Sequence, residues 1–270
     1  MTKRIRLNML ENAKDSLGHA VEHLTSPEGI RICDYKRVIR DLAHAVELLL
    51  KEKLARIHPS FIWENIDKYP SSTALKISTD KAIDRLLRLG NIQLPVNQIS
   101  TIKACKGLRN NIEHYEFEYD EKEAKAIIGR ILSFIFDFSD RYLGLHLHEE
   151  FKKDDTWNAL IDIYEFWEAY GQVLGKQLSE QGRQIVDCGL CGAQTFDIEK
   201  SCCELCGNRD DQVECNKCHE IVLESYADEI EYIEGDSDME SPAYSTVTIC
   251  KDCLEKEAAE EAAVHQGYHE

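Results

Sequence analysis

The sequence lacks any stretch of about 20 uncharged apolar residues, the length that a membrane-spanning helix requires. Its most apolar segment, residues 131–147, is interrupted by Asp137, Asp140 and Arg141. The amino terminus is basic but is not followed by the apolar run of a secretory signal. These absences predict a cytoplasmic protein that does not contact a membrane.

Positive charge is scarce in the second half of the chain. Residues 1–148 carry 23 Lys and Arg against 20 Asp and Glu, which is a net charge of +3. Residues 149–270 carry 9 and 30, which is a net charge of −21. Only the first half can bind a polyanion such as RNA without a strong electrostatic penalty. The acidic half is expected to contact a partner protein, or the basic face of the first half.

The chain also shows no sign of the oxidising compartment that a disulfide framework needs, although it has 11 cysteines. Nine of them lie between Cys188 and Cys253, and eight of these form four CxxC pairs. Each CxxC turn presents two thiolates to one metal ion, so four pairs this close together predict two tetrahedral zinc sites. Cys33 and Cys105 stand alone and are expected to be small core residues.

The spacing of the four pairs predicts how they are shared between the two metals. Eleven residues separate Cys191 from Cys203, which is enough for a short hairpin between the first two pairs. The first and second pairs then form one site and the third and fourth form the other: Cys188, Cys191, Cys203 and Cys206, then Cys215, Cys218, Cys250 and Cys253. A crossed arrangement that joins the first and third pairs is the alternative. Because four thiolates leave no open position, both zinc ions are expected to be structural.

Short strands and turns are predicted around these cysteines. Gly192 and Gly207 follow the second cysteine of the first two pairs, as in the knuckles of a zinc ribbon. Cys202 is the spare cysteine, and His219 is expected to lie on the surface. Alternating residues predict strands at 229–233 and 245–249, joined by an acidic loop at 235–241.

Helical periodicity dominates the first half, so the expected fold class is mainly α. Helices are predicted at residues 5–24, 35–57, 80–89, 97–117 and 121–143, which is enough for a four- or five-helix bundle. A further helix at 149–181 is expected to complete the bundle, link the domains or pair with a partner chain. The predicted domains are a helical bundle at 1–147, an additional or linker helix at 148–182, a small Cys-rich zinc-binding α+β domain at 183–257 and a charged tail at 258–270.

The helix at 97–117 is predicted to bury one side and to display polar groups on the other. Asn97 is its expected N-cap. The buried arc is expected to comprise Ala104, Cys105, Leu108, Ile112 and Tyr115, with Ile102 beyond its edge. The opposite side carries Lys103, Lys106, Gly107, Asn110 and His114, with Arg109 on the flank.

The spacing of three of these polar residues decides which of them can act together. Asn110 and His114 are four apart and share a face of the helix, whereas Arg109 and His114 are five apart and do not. A cation, an amide and an imidazole suit the binding of a phosphate and the transfer of a proton. A site that uses all three would need the long reach of Arg109, a distorted helix end or a second copy of the helix.

The run Arg109-Asn110-Asn111-Ile112-Glu113-His114 resembles the Arg-Asn-x-x-x-His signature of HEPN domains, which are helical bundles. Segment 37–66 is similar to a long HEPN helix, and the resemblance covers residues 1–147. One departure concerns a toxin subgroup in which x-Tyr follows the histidine, because His114 is followed here by Tyr115-Glu116-Phe117.

Many HEPN domains are metal-independent ribonucleases, so the resemblance implies an endoribonuclease, in the setting of a bacterial toxin or an antiphage defence effector. It implies that His114 activates the ribose 2′-hydroxyl or protonates the leaving group, that Arg109 holds the scissile phosphate and that Asn110 orients either one. Lys103 and Lys106 are the expected RNA contacts, and no metal is expected at this site. In the HEPN family two copies of the chain bring their motif helices together across a cleft, so the resemblance also implies a homodimer.

Two other interpretations stay open. In the first, the bundle is a non-catalytic dimerisation platform and the acidic zinc domain recruits a protein. In the second, the chain is structural, and Arg109 and His114 only pair with acidic neighbours such as Glu113. The charge asymmetry adds the hypothesis that the acidic half covers the basic helix face and restrains it.

Overall fold

The structure is a computed structural model that describes residues 6–26, 28–114, 118, 120–152, 156–234 and 243–266. The fold is mainly helical, with three small sheets and two groups of cysteines in its C-terminal part. The chain divides into a unit at Met1–Leu174 and a unit at Gly175–Glu270, so the division falls within a helix, ahead of Gly182. Across the described ranges, no helix is both long enough and apolar enough to cross a membrane.

Eight helices are described up to the start of the second unit, and the last of them crosses the division. They are α1 (Met9–Leu24), α2 (Ile32–Ile57), α3 (Thr79–Arg88), α4 (Val96–His114), α5 (Glu121–Phe138), α6 (Leu147–Phe151), α7 (Thr156–Ile161) and α8 (Tyr164–Glu180). Asn8 and Glu11 form a capping box that starts α1, and Asp120 caps α5. A π-helical turn, Ser139–Leu143, follows α5 directly.

α2 is the central helix of the first unit, because it packs against α1, α3, α4 and α5. Its apolar side includes Leu42, Leu50 and Leu54, none of which is accessible to solvent. Helical periodicity therefore predicts this helix correctly, although it begins at Ile32 rather than at residue 35. Burial of such a continuous apolar side is the main stabilising contribution to a helical bundle.

The single helix predicted at 149–181 is wrong, because the segment contains α6, α7 and α8. Backbone hydrogen bonds from Ile163 to Leu160 and from Phe166 to Ile163 turn the chain between α7 and α8. This turn lets Trp157 of α7 and Phe166 of α8 both reach Phe136, with ring centroids 5.6 Å away in each case. Long-range aromatic packing thus overrides the local helical periodicity.

The buried side of α4 differs from the prediction. It comprises Ile102, Cys105, Leu108 and Ile112, whereas Ala104 is exposed and Tyr115 lies outside the described residues. The buried stripe is rotated towards Ile102 because α4 packs between α2 and α5. Asn97 lies inside the helix, which begins at Val96, so it is not the N-cap.

The two isolated cysteines also differ from each other. Cys105 is buried as predicted, and burial raises the pKa of its thiol to about 12. Cys33 is exposed in the first turn of α2, so its assignment to the core is wrong. An isolated cysteine carries no sequence signal that separates a core position from a surface position.

The second unit consists of short antiparallel strands and one helix. β1 (Ile185–Val186), β2 (Phe196–Asp197) and β3 (Cys202–Cys203) form a sheet in the order β1-β2-β3. Two hairpins follow, of β4 (Gln212–Glu214) with β5 (Ile221–Leu223) and of β6 (Ala227–Glu234) with β7 (Ala243–Cys250), and then comes α9 (Lys251–Gln266). The strands predicted at 229–233 and 245–249 are confirmed within β6 and β7, and the loop at 235–241 lies outside the described residues.

Candidate functional site

The structure brings eight cysteines together in two groups of four, in the pairing that the spacing predicts. In the first group the sulfur atoms of Cys188 and Cys206 are 3.7 Å apart and those of Cys191 and Cys203 are 3.8 Å apart. All four sulfur atoms lie within 4.8 Å of one another. A tetrahedral ion with Zn–S bonds of about 2.3 Å places its sulfur ligands about 3.8 Å apart. The group therefore fits one tetrahedral metal ion.

The second group is assembled from three elements of the same unit. The turn between β4 and β5 supplies Cys215 and Cys218, the end of β7 supplies Cys250, and the first turn of α9 supplies Cys253. The sulfur atoms of Cys218 and Cys250 are 3.8 Å apart, which is again the tetrahedral spacing.

Three of the four CxxC turns share one backbone geometry. Gly192 and Gly207 have φ of 72° and 77°, and their amides donate to the carbonyls of Cys188 and Cys203 at 2.8 Å. His219 takes the equivalent place in the third turn, with φ of 61° and a 2.9 Å bond from its amide to the Cys215 carbonyl. Cysteine spacing did not predict this role of His219, because the left-handed region is normally occupied by glycine.

Hydrogen bonds to sulfur prepare both groups for a cation. The Cys206 amide donates to Cys203 Sγ at 3.4 Å, and the Cys250 amide donates to Cys215 Sγ at 3.3 Å. The backbone amide of Cys250 lowers the pKa of the Cys215 thiol to about 6, which favours the thiolate that a metal binds. Cys202 contributes to neither group, because its thiol instead contacts the Gly207 carbonyl at 3.6 Å.

The donor set of the two groups indicates the role of the metal. Each group is four thiolates with no histidine, carboxylate or open position, which is the arrangement of structural sites rather than catalytic ones. Both groups can hold a metal ion, and the ion would join strands that share little other core. In a site of four cysteines the metal connects distant parts of the chain, so its binding energy contributes directly to folding.

The three motif residues of α4 are placed differently from one another. Arg109 is half-buried, with its Nε 3.0 Å from Glu113 and its Nη1 donating to Asn110 Oδ1 at 3.5 Å. His114 is the last residue of α4 and is exposed. The structure therefore brings Arg109 and Asn110 together and leaves His114 on the adjoining turn. A regular helix keeps Arg109 and His114 on different faces, as their spacing predicts.

The two predicted RNA contacts are separated as well. Lys103 is exposed on α4, whereas Lys106 is half-buried and forms an ion pair with Asp80 at the start of α3. Lys106 and Arg109 line a cleft between α2, α3 and α4 that has a volume of about 540 Å³. Lys103 and His114 are not part of that lining.

A row of polar pairs between α1 and α2 was not predicted from the sequence. Ser16 Oγ lies 3.1 Å from His44 Nδ1, and His19 Nδ1 lies 2.6 Å from Asp41 Oδ2. A third pair joins His23 to the buried Asp34, whose pKa is held well below its usual range, first of all by the Arg31 guanidinium. The sequence contains a pattern that could have predicted these pairs. The polar residues of α1 are spaced three and four apart, and those of α2 are spaced seven and three apart, so each set lies on one face of its helix.

Comparison with known proteins adds no relative. No protein-family model matches the chain, and neither a curated protein nor a solved structure matches it.

Proposed function

We propose that the chain is a metal-independent endoribonuclease of the HEPN type, active as a homodimer in which two α4 helices form one site. The observation that carries this proposal is the last turn of α4, where Asn110 and His114 lie one turn apart outside the core and Arg109 bonds to Asn110. These groups provide an anion ligand, an orienting amide and an imidazole for proton transfer. The net charge of +3 on residues 1–148 is compatible with an RNA ligand.

The need for two chains follows from the geometry of a single α4. Arg109 and His114 project from different faces, so one helix does not direct both groups at the same phosphate. A second α4 in antiparallel or crossed contact would supply the missing group. Gly107 is exposed, and a side chain added there would meet no atom within 4 Å, so a second helix has room to approach.

In the proposed reaction the ribose 2′-oxygen attacks the adjacent phosphorus as His114 of one chain takes its proton. The bond from phosphorus to the 5′-oxygen breaks, and that oxygen receives a proton from the second imidazole. Arg109 stabilises the extra negative charge on the phosphate oxygens. The products are a 2′,3′-cyclic phosphate and a free 5′-hydroxyl, so no metal and no water molecule is consumed.

RNA cleavage by the purified chain tests the proposal. The wild type is expected to cut single-stranded RNA in buffer with EDTA, whereas His114→Ala and Arg109→Ala lose cleavage by about 100-fold or more. His146→Ala is the matched control, because His146 is an exposed histidine paired with Asp140 on another part of the unit. Bound metal must be measured after the EDTA step, so that loss of the cysteine sites is not mistaken for loss of activity.

Equal cleavage by the wild type and both motif variants would remove the assignment. Growth after expression in a bacterial host gives an independent test of a toxin or defence role. Wild-type expression is expected to slow growth, and His114→Ala is expected to relieve the effect.

A second candidate is the non-catalytic dimerisation platform, and one contact favours it. The 3.0 Å ion pair between Arg109 and Glu113 occupies the cation that a nuclease needs for its phosphate. If the chain is a non-catalytic platform, Glu113→Gln has no effect on RNA cleavage. Under the nuclease proposal the same variant frees Arg109 and raises cleavage, so this single substitution separates the two candidates.

We also propose that the ion in both cysteine groups is zinc, with a purely structural role. Complete sets of four thiolates at tetrahedral spacing support Zn²⁺ over the hard cations that prefer oxygen ligands. Metal analysis of the purified chain is expected to give two zinc ions per chain. A result of iron, or of fewer than two ions in folded protein, would contradict the proposal.

A further inference from the structure

A groove within the second unit lies between the outer strand of the three-stranded sheet and the hairpin of β4 and β5. β1, β5 and the start of α9 contribute to its walls, and its volume is about 490 Å³. The side chain of Gln212 connects the two sheets beside the groove, because its Nε2 donates to the Ile198 carbonyl at 2.9 Å. All the residues that line the groove lie between Gln184 and Asp252, so the nuclease proposal does not use it.

β5 has one edge that no other strand covers in the part of the chain that the structure describes, because it pairs only with β4. The hydrogen bonds at the two ends of the hairpin show which residues face that edge. The Glu224 amide donates to the Asp211 carbonyl at 2.8 Å, and the Cys215 amide donates to the Glu220 carbonyl at 3.0 Å. Bonded and non-bonded pairs alternate along an antiparallel ladder, so Val222 is the residue of β5 that bonds to β4 between these ends.

Ile221 and Leu223, on either side of Val222, therefore direct their backbone N–H and C=O groups away from β4. Neither amide has a hydrogen-bond acceptor among the described residues. Leu223 is also only 4 % exposed, so little water reaches its amide. A buried N–H without a partner is rare in folded proteins, because it loses its hydrogen bonds to water without replacement. This edge therefore lacks acceptors that a bound segment can supply.

The groove runs along this edge of β5 rather than across one face of the hairpin. Successive side chains of a strand point to opposite faces, and the side chain of Val222 packs against the buried cluster that includes Ile249 and the second cysteine group. Val222 nevertheless lines the groove together with Ile221 and Leu223. Three consecutive residues line one groove when it follows the edge of their strand, so an extended segment in the groove can reach the outward backbone groups.

The other groups in the groove are apolar side chains and carboxylates. Val186 of β1 is half-buried, and Ile221 is 69 % exposed although it is a large apolar residue. Asp187 and Asp252 are exposed carboxylates on the lining. Lys251 is the single cation among the lining residues, and its Nζ already donates to a backbone carbonyl at 2.7 Å. The groove therefore suits apolar side chains that alternate with positive charge.

The charge of the second unit decides which kind of segment fits this edge. Residues 175–270 carry 7 Lys and Arg against 23 Asp and Glu, which is a net charge of −16. A charge of that size repels a second copy of the same unit and repels nucleic acid, and it attracts a positively charged segment. Unpaired strand edges bind extended segments through backbone hydrogen bonds, with contacts for alternate side chains.

We propose that this groove binds an extended, basic segment of a partner protein, which joins the hairpin as a strand beside β5. The backbone of the segment pairs with the outward groups of Ile221 and Leu223. Its alternate apolar side chains lie against Val186 and Ile221, and its Lys or Arg side chains lie near Asp187 and Asp252. The proposal uses only the second unit, so it is independent of the nuclease proposal.

A synthetic peptide tests the proposal with the full-length, metal-loaded chain. The probe is an eight-residue peptide of alternating lysine and valine, acetylated and amidated at its ends, and calorimetry at low ionic strength measures its binding. Saturable binding is expected, and the Ile221 amide should exchange its hydrogen more slowly in the complex. The same peptide N-methylated at its four central residues keeps its charge but lacks the backbone donors, so it should bind at least tenfold more weakly.

Two substitutions test the contacts on the protein. Ile221→Lys removes apolar contact and adds a repulsive charge, so it should weaken binding by about tenfold or more. Leu190→Lys is the matched control, because Leu190 is 72 % exposed in the same unit and does not line the groove. Asp252→Asn should weaken binding by about threefold, whereas Glu255→Gln, at an exposed position outside the lining, should not change it. Each variant must keep the metal content of the wild type.

Three results would overturn the proposal. The first is the absence of saturable binding. The second is equal binding of the N-methylated peptide, or equal losses in Ile221→Lys and Leu190→Lys, because either result means that the peptide only adsorbs to an acidic surface. The third is self-association of the wild type that Ile221→Lys abolishes, which would assign the edge to a second copy. His114→Ala is expected to bind the peptide like the wild type, so failure of the nuclease proposal and failure of this one are separate results.

Discussion

The two units of the chain are stabilised in different ways. The unit at Met1–Leu174 has a core of leucine, isoleucine and phenylalanine side chains that is contiguous around α2 and α5. In the unit at Gly175–Glu270, the described residues include only six buried apolar side chains other than cysteine: Leu178, Ala193, Phe196, Leu205, Leu223 and Ile249. Five of the eight cysteines in the metal groups are buried among them.

This difference shows how a chain segment of fewer than 100 residues can fold with little apolar surface to bury. Small domains lose nearly as much conformational entropy per residue as large ones but bury a smaller fraction of their surface. Under the zinc proposal, metal–thiolate bonds would supply the missing free energy, about 10–16 kcal/mol for a structural zinc ion. The same unit carries much of the negative charge of the chain, to which each four-thiolate site adds.

Removal of the metal should produce the largest difference between the units. A strong chelator is expected to unfold the second unit and to leave α1–α5 intact, because only the former depends on metal–thiolate bonds. Limited proteolysis with mass spectrometry should then show cleavage concentrated within 185–266 and a resistant fragment that ends near residue 174. Continued resistance of the second unit after complete metal loss would contradict the comparison.

A single ligand substitution should have the next largest effect. Cys253→Ser removes one thiolate of the second group, so the chain should retain one metal ion rather than two, and the hairpin of β6 and β7 should lose protection from hydrogen exchange. Cys202→Ser is the control, because Cys202 is outside both groups and should change stability by less than about 0.5 kcal/mol. Equal metal content in the two variants would show that Cys253 is not a ligand.

A cavity in the first unit should cost less and should not depend on metal. Leu50 is 0 % exposed, so Leu50→Ala is expected to destabilise the helical unit by about 2–5 kcal/mol. Leu75→Ala, at a position that is 77 % exposed, should change its stability by less than about 0.5 kcal/mol. Urea unfolding followed by circular dichroism measures both, and two metal ions should remain bound in each folded variant.

Strain in a cysteine turn should give the smallest effect. Gly207 has φ of 77° and open space around its Cβ position, so Gly207→Ala adds only backbone strain, about 1–2 kcal/mol. His219 already occupies the left-handed region, so His219→Gly should be neutral to within about 1 kcal/mol. The urea concentration that releases the metal reports on both. If His219→Gly destabilises the unit by more than about 1 kcal/mol, the imidazole has a role beyond forming the turn.

The two regions were also unequally predictable. In the second unit, CxxC spacing alone predicted both cysteine groups, and alternation predicted β6 and β7, because a metal-binding turn and a hairpin are local structures. In the first unit, periodicity found α1–α5, yet it misplaced the buried side of α4 and joined α6, α7 and α8 into one helix. Both errors arise because periodicity does not show which other helix each side of a helix packs against.

The sequence by itself determined the helical character of the first unit and the two sets of four cysteines, because both follow from the spacing of neighbouring residues. Only the tertiary structure decided that Ile102 rather than Ala104 is buried, that Lys106 meets Asp80, and that Lys51 and Lys76 line the same cleft. These contacts join α2, α3 and α4 across many residues of sequence. No local pattern encodes them, because they depend on how separate helices pack against one another.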